Sequence, residues 1–417
     1  MIVWHQSRRS AAPWVVLPAA LFVYMYMDSA VFTVPSHYGI ESGESTVYAL
    51  ATIAPAVAAC AAWDAGRMRH IRHMLTTSAR SRWSLLLFIG TPAAALGAVL
   101  LVLAVVMARI NTGVFPSGAG WAALAHVIIV SAEWAVIGWF VGGRLPRSIA
   151  APAAAALCWA WLTMPHAMSN AWLRHLGGFI DGTSTITDVH RPEVYVVPWV
   201  FTGCLIAVAW LLTRTGSRRI FLPAGAGAAA AALFVGHAAV GGWGYSNPST
   251  VRAVDSVCSG TAPQICVPPE YRSYLPQIRR STRGPLNALV AAGVTQPKRM
   301  EILSPSVKLE PGVWRLHWSL PAVHQQAQYH TAADAMAISA VEGTAAQQGK
   351  ESCGGPSAPE LVWATAVAGN NKDEVRAGTD PQLWGLVDPV FDEPVKQQSA
   401  WFTQQVLDHA CPVQEAR

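Results

Sequence analysis

The run HVIIVSAEWAVIGWF (126–140) places a single carboxylate, Glu133, inside an otherwise apolar stretch, with His126 seven residues before it. Seven residues are two helical turns, so the two side chains share one face of a helix. An ionisable group in such a run faces a helix bundle or a wet cavity. Two roles fit Glu133: a protonated carboxyl hydrogen-bonded to a neighbouring helix, or a gate or coupling residue in a substrate or proton path. His237, within an Ala/Gly-rich run, reads as a packing residue. Other reactive side chains fall in the polar C-terminal part. Cys258, Cys266, Cys353 and Cys411 are an even number suited to two disulfides. Three pairings are open to them; closeness in sequence favours Cys258 with Cys266, which leaves Cys353 for Cys411. Cys60, Cys158 and Cys204 sit in apolar runs, where a thiol behaves as a small hydrophobe. Signals for catalysis are absent. There is no H-E-x-x-H and no G-x-S-x-G. His317, His324 and His330 have spacings that match no standard metal site. The stretch from Gly343 to Glu351 resembles a phosphate loop but has one residue too many, and Glu follows its lysine. No catalytic residue, metal or cofactor is therefore expected, and the chain does not read as an enzyme.

The elements that hold these residues follow from composition. Of 417 residues, 52% are hydrophobic and 13% charged, with a mean hydropathy of +0.31. Soluble chains average about 25% charged, so a wholly soluble enzyme and a disordered chain are both excluded. Residues 1–243 carry 15 of the 29 Lys+Arg and 8 of the 24 Asp+Glu; residues 244–417 carry the other 14 and 16, a net of −2. The first part reads as membrane and the second as a water-soluble domain.

Crossing ~30 Å of hydrocarbon takes about 20 mostly apolar residues. Seven runs qualify, near 11–32, 45–63, 85–107, 121–142, 149–165, 196–213 and 220–243. Twelve loop arginines fall on one side: Arg8, Arg9, Arg67, Arg69, Arg72, Arg80, Arg82, Arg144, Arg147, Arg214, Arg218 and Arg219. Only Arg109, Arg174 and Arg191 fall on the other. Arginine enrichment marks the cytoplasmic side, so the N-terminus is cytoplasmic and seven crossings leave 244–417 outside, where disulfides persist. The first run lacks a cleavage site and reads as an uncleaved span. Ile2, Val3 and Trp4 suggest a short interfacial helix before it. No lysine precedes Lys298 while arginine and alanine abound, a pattern of GC-rich bacterial coding. The expected location is a bacterial cell membrane, crossed several times.

The loop Asp64–Trp83, DAGRMRHIRHMLTTSARSRW, carries Met68, Ile71 and Leu75 at helical steps with Arg and His between. It is either a basic amphipathic helix resting on anionic headgroups or a docking element. The outer segment 166–195 contains AWLRHLGGFI, a surface helix or a shallow re-entrant hairpin. At this loop the chain resembles the ABC-2-type exporter permeases. Those proteins have an acidic residue ending the second span, followed by G-T-L-x-x-L-L-x-T-P-x-S-R, which docks on an ATPase. Asp64 matches the acid, and MLTTSARSRWSLLL (74–87) resembles the L-L-x-T-P-x-S-R stretch, with Ser81 and Arg82 at the S-R positions if one inserted residue is allowed. Gly66-Arg67 stands for Gly-Thr, and Ser78 for the proline. The resemblance covers about residues 1–215, and the seventh span and the outer domain are additions to it. It implies a separate cytoplasmic ATPase docking at 64–84 through Asp64, Arg67, Arg69, Arg72, Arg80, Ser81 and Arg82. It also implies a second permease subunit, identical or different, with ATP used only through the partner.

Residues 244–417 read as one α+β domain. KRMEIL and GVWRLHWSL are strands; AADAMAISAVEGTAA, ELVWATAVAG and QQSAWFTQQVLDHAC are helices; PPEYRSYLPQIRRSTRGPLNALVAAGV is helices interrupted by prolines. Tyr271 and Tyr274 with Arg272, Arg279, Arg280 and Arg283 form a basic patch beside aromatic rings, either a solvated face or a site for headgroups or an anionic polymer. Nucleic acid is not an expected partner; membrane lipid is. The sequence thus leads to a permease-like subunit of an ATP-driven exporter. The other class it admits is a membrane-anchored receptor or assembly scaffold whose outer domain binds an envelope ligand.

Overall fold

A computed structural model describes residues 10–29, 35–68, 82–180, 185–214, 218–318, 332–353, 358–369 and 371–412. Expectations for Arg69, Arg72, Arg80, Ser81, His324, His330 and the interfacial N-terminal helix fall outside these residues, as does most of the 64–83 loop. The chain divides into two units, one of Met1–Phe32 with Tyr38–Thr250, the other of Thr33–His37 with Val251–Arg417.

Unit 1 is helical. Its helices are α1 (Ala12–Ser29), α2 (Gly39–Ser45), α3 (Leu50–Met68), α4 (Arg82–Thr112), α5 (Gly120–Gly142), α6 (Arg147–Thr163), α7 (Ala171–Gly177), α8 (Glu193–Arg214) and α9 (Arg218–Val240). Five helical stretches of the described residues are long and apolar enough to cross a membrane: Gly39–Met68, Gly90–Thr112, Gly120–Gly142, Arg147–Ala167 and Glu193–Trp210. Two shorter apolar helices, Ala12–Asp28 and Gly225–Val240, stand where the first and seventh runs were expected.

The stretch containing α3 is the centre. Of its most apolar window 83% is buried, against 28–39% for the other four stretches. Its composition explains this: nearly half of LATIAPAVAACAAWDAG is alanine, so neighbouring backbones come close. Gly138 and Gly142 of α5 press on it. A Cβ at Gly138 would lie 2.2 Å from the Ala58 carbonyl oxygen, and one at Gly142 2.1 Å from that of Ala62. The Ala/Gly-rich α9, where the sequence suggests close contact, behaves differently. Phe234 and Val235 are 74% and 65% exposed, while Gly236 faces Leu176 and Phe201. Small residues permit close contact, and geometry selects which helix uses it.

Unit 2 is a mixed α/β unit. A four-stranded sheet has the order β1 (Val257–Ser259), β2 (Gln264–Val267), β3 (Arg299–Glu301), β4 (Val313–Arg315). The first pair is antiparallel and the other two parallel. Parallel neighbours require a crossover, which α10 (Leu275–Ala291) supplies between β2 and β3. Pro285 lies inside this single helix instead of ending it. Leu275, Ile278, Thr282, Leu286 and Leu289 form its buried face. The remaining elements are α11 (Ala332–Gln347), β5 (Lys350–Ser352), α12 (Pro359–Gly369), α13 (Lys372–Gly378), α14 (Pro381–Val387), α15 (Val395–Asp408) and β6 (Ala410–Pro412). Gly343 of α11 lies against Trp314, where a Cβ would fall 2.0 Å from the indole, so only glycine fits. Disulfides join Cys258 to Cys266, directly opposed on β1 and β2, and Cys353 to Cys411 beside the β5–β6 pair.

Candidate functional site

Two polar clusters lie within the helices of unit 1. The first is at the end of α3 that leads into the 69–81 loop. Asp64 is 1% exposed. The Ser10 hydroxyl donates to Asp64 Oδ2 at 2.8 Å and accepts from the Ala12 N–H at 3.3 Å. Cys60, one turn earlier, lies 3.6 Å from the same hydroxyl. Asp64 therefore fastens the start of α1 to α3 and presents no carboxylate at the surface. Gly66 packs on Arg147, whose guanidinium sits 5.2 Å from the Trp63 ring centroid. Arg67 is half-buried at the end of α3, and Arg82 begins the α4 backbone. Of the seven residues implied in docking, the first thus has an internal role. Arg69, Arg72, Arg80 and Ser81 lie outside the described residues.

The second cluster joins α2, α5, α8 and the chain after α7. His126 is fully buried. Its Nε2 lies 2.5 Å from the Gly178 carbonyl oxygen, and its Nδ1 2.8 Å from the indole Nε1 of Trp199. A carbonyl only accepts and an indole N–H only donates. Nε2 therefore carries the proton, Nδ1 does not, and the ring is the neutral tautomer. Both nitrogens are used, which makes His126 the clasp of the segment after α7. Gly178 takes a left-handed φ of +86° at that bend, beside His126, Val130 and Pro198. The Tyr195 ring meets His126 edge-on at 5.5 Å, and its hydroxyl donates to Glu44 Oε1 at 3.1 Å.

Glu44 and Tyr195 carry no signal that the sequence reading used. Glu44 lies in GIESGES, which hydropathy sets outside the second span, yet it is 3% exposed. Its neighbours explain the burial: Ser42 donates to the Val114 carbonyl, and Gly43 packs on Gly120. Glu133 stands apart from the clasp. Its Oε1 faces Gly203 of α8, where a Cβ would lie 3.7 Å away, and its buried Oε2 has no hydrogen-bond partner among the described residues. Asp64 Oδ1 is likewise buried without a hydrogen-bond partner among the described residues.

In unit 2, His317 is paired rather than free for a metal. Its Nε2 lies 2.9 Å from Glu342 Oε2, which Arg315 also reaches at 2.7 Å. Burial alone would raise the Glu342 pKa; the hydrogen bond and charge of His317, with the Arg315 guanidinium, instead hold it below the usual carboxylate value. The wholly buried Glu360 takes His409 Nδ1 at 2.9 Å. These pairs fasten α11 and α12 to the strands and to the C-terminal segment.

Residues 265–408 match the family model described as Domain of unknown function (DUF7224), which begins in β2 and ends at the close of α15. Neither a curated protein nor a solved structure matches the chain.

Proposed function

We propose that the chain is the membrane subunit of an ATP-driven exporter of the ABC-2 permease type. In this reading seven spans carry 1–243, the N-terminus is cytoplasmic and 244–417 is extracytoplasmic. The observation that carries it is the basic 64–84 loop after a buried acid that closes the central helix. A separate ATPase docks on the loop, and its closure is passed into α3. Five long and two shorter apolar helices support an odd number of crossings. Two disulfides in unit 2 support an oxidising compartment for it. Glu133 against Gly203 is then a coupling or gating carboxyl beside the substrate path.

The test is affinity purification of the full chain in mild detergent. The expected result is a co-purifying nucleotide-binding subunit, lost on charge reversal by Arg80→Glu with Arg82→Glu. Purification without such a partner under several gentle conditions overturns the reading. One observation favours a scaffold instead: unit 2 is a separate unit with its own family match, 265–408. That alternative needs no ATPase and retains full ligand binding when the loop charges are reversed.

A further inference from the structure

The outward face of α10, with the turn before it, carries Arg272, Arg279, Arg280 and Arg283, all exposed. None forms an ion pair with another described residue; the one polar contact is Arg279 Nη1 donating to Ser259 Oγ at 3.1 Å. This is unusual in a segment whose net charge is −2. Many of the acidic groups lie elsewhere, interspersed with Lys372 and Arg376. Asp373, Glu374, Asp380, Asp388, Asp392 and Glu393 are exposed on α13, α14 and the turns around them, and α12 packs between those helices and α10. The aromatic half of the patch does not belong to the face. Tyr271 is 8% exposed, and Tyr274 turns inward within unit 2, its hydroxyl donating to the Pro35 carbonyl at 3.0 Å. A stacking platform for sugars or bases is thereby lost. What remains is about 16 Å of cationic stripe along the helix, a shape that fits a plane of phosphates.

We infer that this arginine face rests on the anionic phospholipid headgroups of the membrane that carries the spans. Chain length supports that occupant. Ten residues, 241–250, join α9 to unit 2 and reach at most about 35 Å. Pro35, which accepts from the Tyr274 hydroxyl, follows the end of α1 by six residues, a second connection of at most about 21 Å of chain. A cationic face so tethered meets headgroups at a high effective concentration. The inference needs only that the apolar helices span, and it stands whether or not an ATPase docks.

The test uses the full chain with Cys204→Ser and Asn287→Cys, residue 287 being exposed one turn beyond Arg283 on the same face. Labelling by a neutral PEG-maleimide is timed in nanodiscs of phosphatidylglycerol and of phosphatidylcholine. The expected result is labelling about ten-fold slower in phosphatidylglycerol, restored by about 0.5 M salt. A Gln382→Cys control on the acidic side should label equally in both lipids. Replacing the four arginines by lysine keeps the protection, and replacing them by glutamine removes it. Equal rates at Asn287→Cys in both lipids overturn the inference. So does equal protection by soluble polyphosphate in phosphatidylcholine, which assigns the face to a free polyanion. The salt arm needs no arginine variant and so does not depend on how the glutamine protein folds.

Discussion

The two units bury carboxyl groups in opposite ways. In unit 1, Asp64 is held by the hydroxyl of Ser10 and Glu44 by the phenol of Tyr195. In unit 2, Glu342 is held by Arg315 and His317, and Glu270 by Arg252. The other linkages differ similarly: backbone-to-backbone contact between helices at Gly138 and Gly142 in unit 1, disulfides between strand segments in unit 2. Water explains the contrast. Charge pairs are practical where the unfolded chain is also hydrated, whereas in an apolar surrounding a neutral hydrogen bond avoids desolvating a second ion. Unit 1 therefore depends on shape and unit 2 on charge and covalent closure.

That contrast can be broken from either side. The largest effect is expected from Cys353→Ala with Cys411→Ala. The bridge closes 58 residues, worth about 4 kcal/mol by loop entropy, so proteolysis within 251–417 should accelerate strongly while unit 1 keeps its melting profile. Gly142→Val should cost about 3 kcal/mol in unit 1, because its Cβ meets the Ala62 backbone and cannot be accommodated by a side-chain shift. Size-exclusion after heating in detergent should show aggregation at lower temperature, with both disulfides intact. The smallest effect sharpens the charge side. Glu342 has a folded pKa below its unfolded value of about 4.5, so its ion pairs add stability above that value. The contribution disappears as pH falls through the depressed folded value. Glu342→Gln should therefore flatten the acid limb of unit 2 melting, with a loss near neutral pH of about 2 kcal/mol. An unchanged acid limb would remove this pair from the account.

Hydropathy located the long apolar helices because their length and composition are local properties. It set the start of the second span at residue 45 although helix begins at Gly39, because GIESGES is polar and only its neighbours make it buried. The strands near 299–301 and 313–315 were legible from alternation and β-favouring residues, whereas β2 stands between Pro263 and Pro268, which read as breakers. Asp64 was visible as the acid closing a span, but its partner Ser10 lies 54 residues away and no spacing rule reaches that far. The same holds for Glu44 and Tyr195, which are 151 residues apart. His126 and Glu133 were correctly set on one helix, yet their surroundings differ: one ring nitrogen pair fully engaged, one carboxyl oxygen without a partner.

The contact of Gly138 and Gly142 with Ala58 and Ala62 has a mechanical side. Each glycine sits opposite a carbonyl four residues from the next, so sliding α5 along α3 by less than one turn drives backbone into backbone. The two helices are keyed together there as one unit. It runs from Met68, where the basic loop begins, to the helix that carries Glu133. A shift of either helix along its axis would therefore have to carry the other with it.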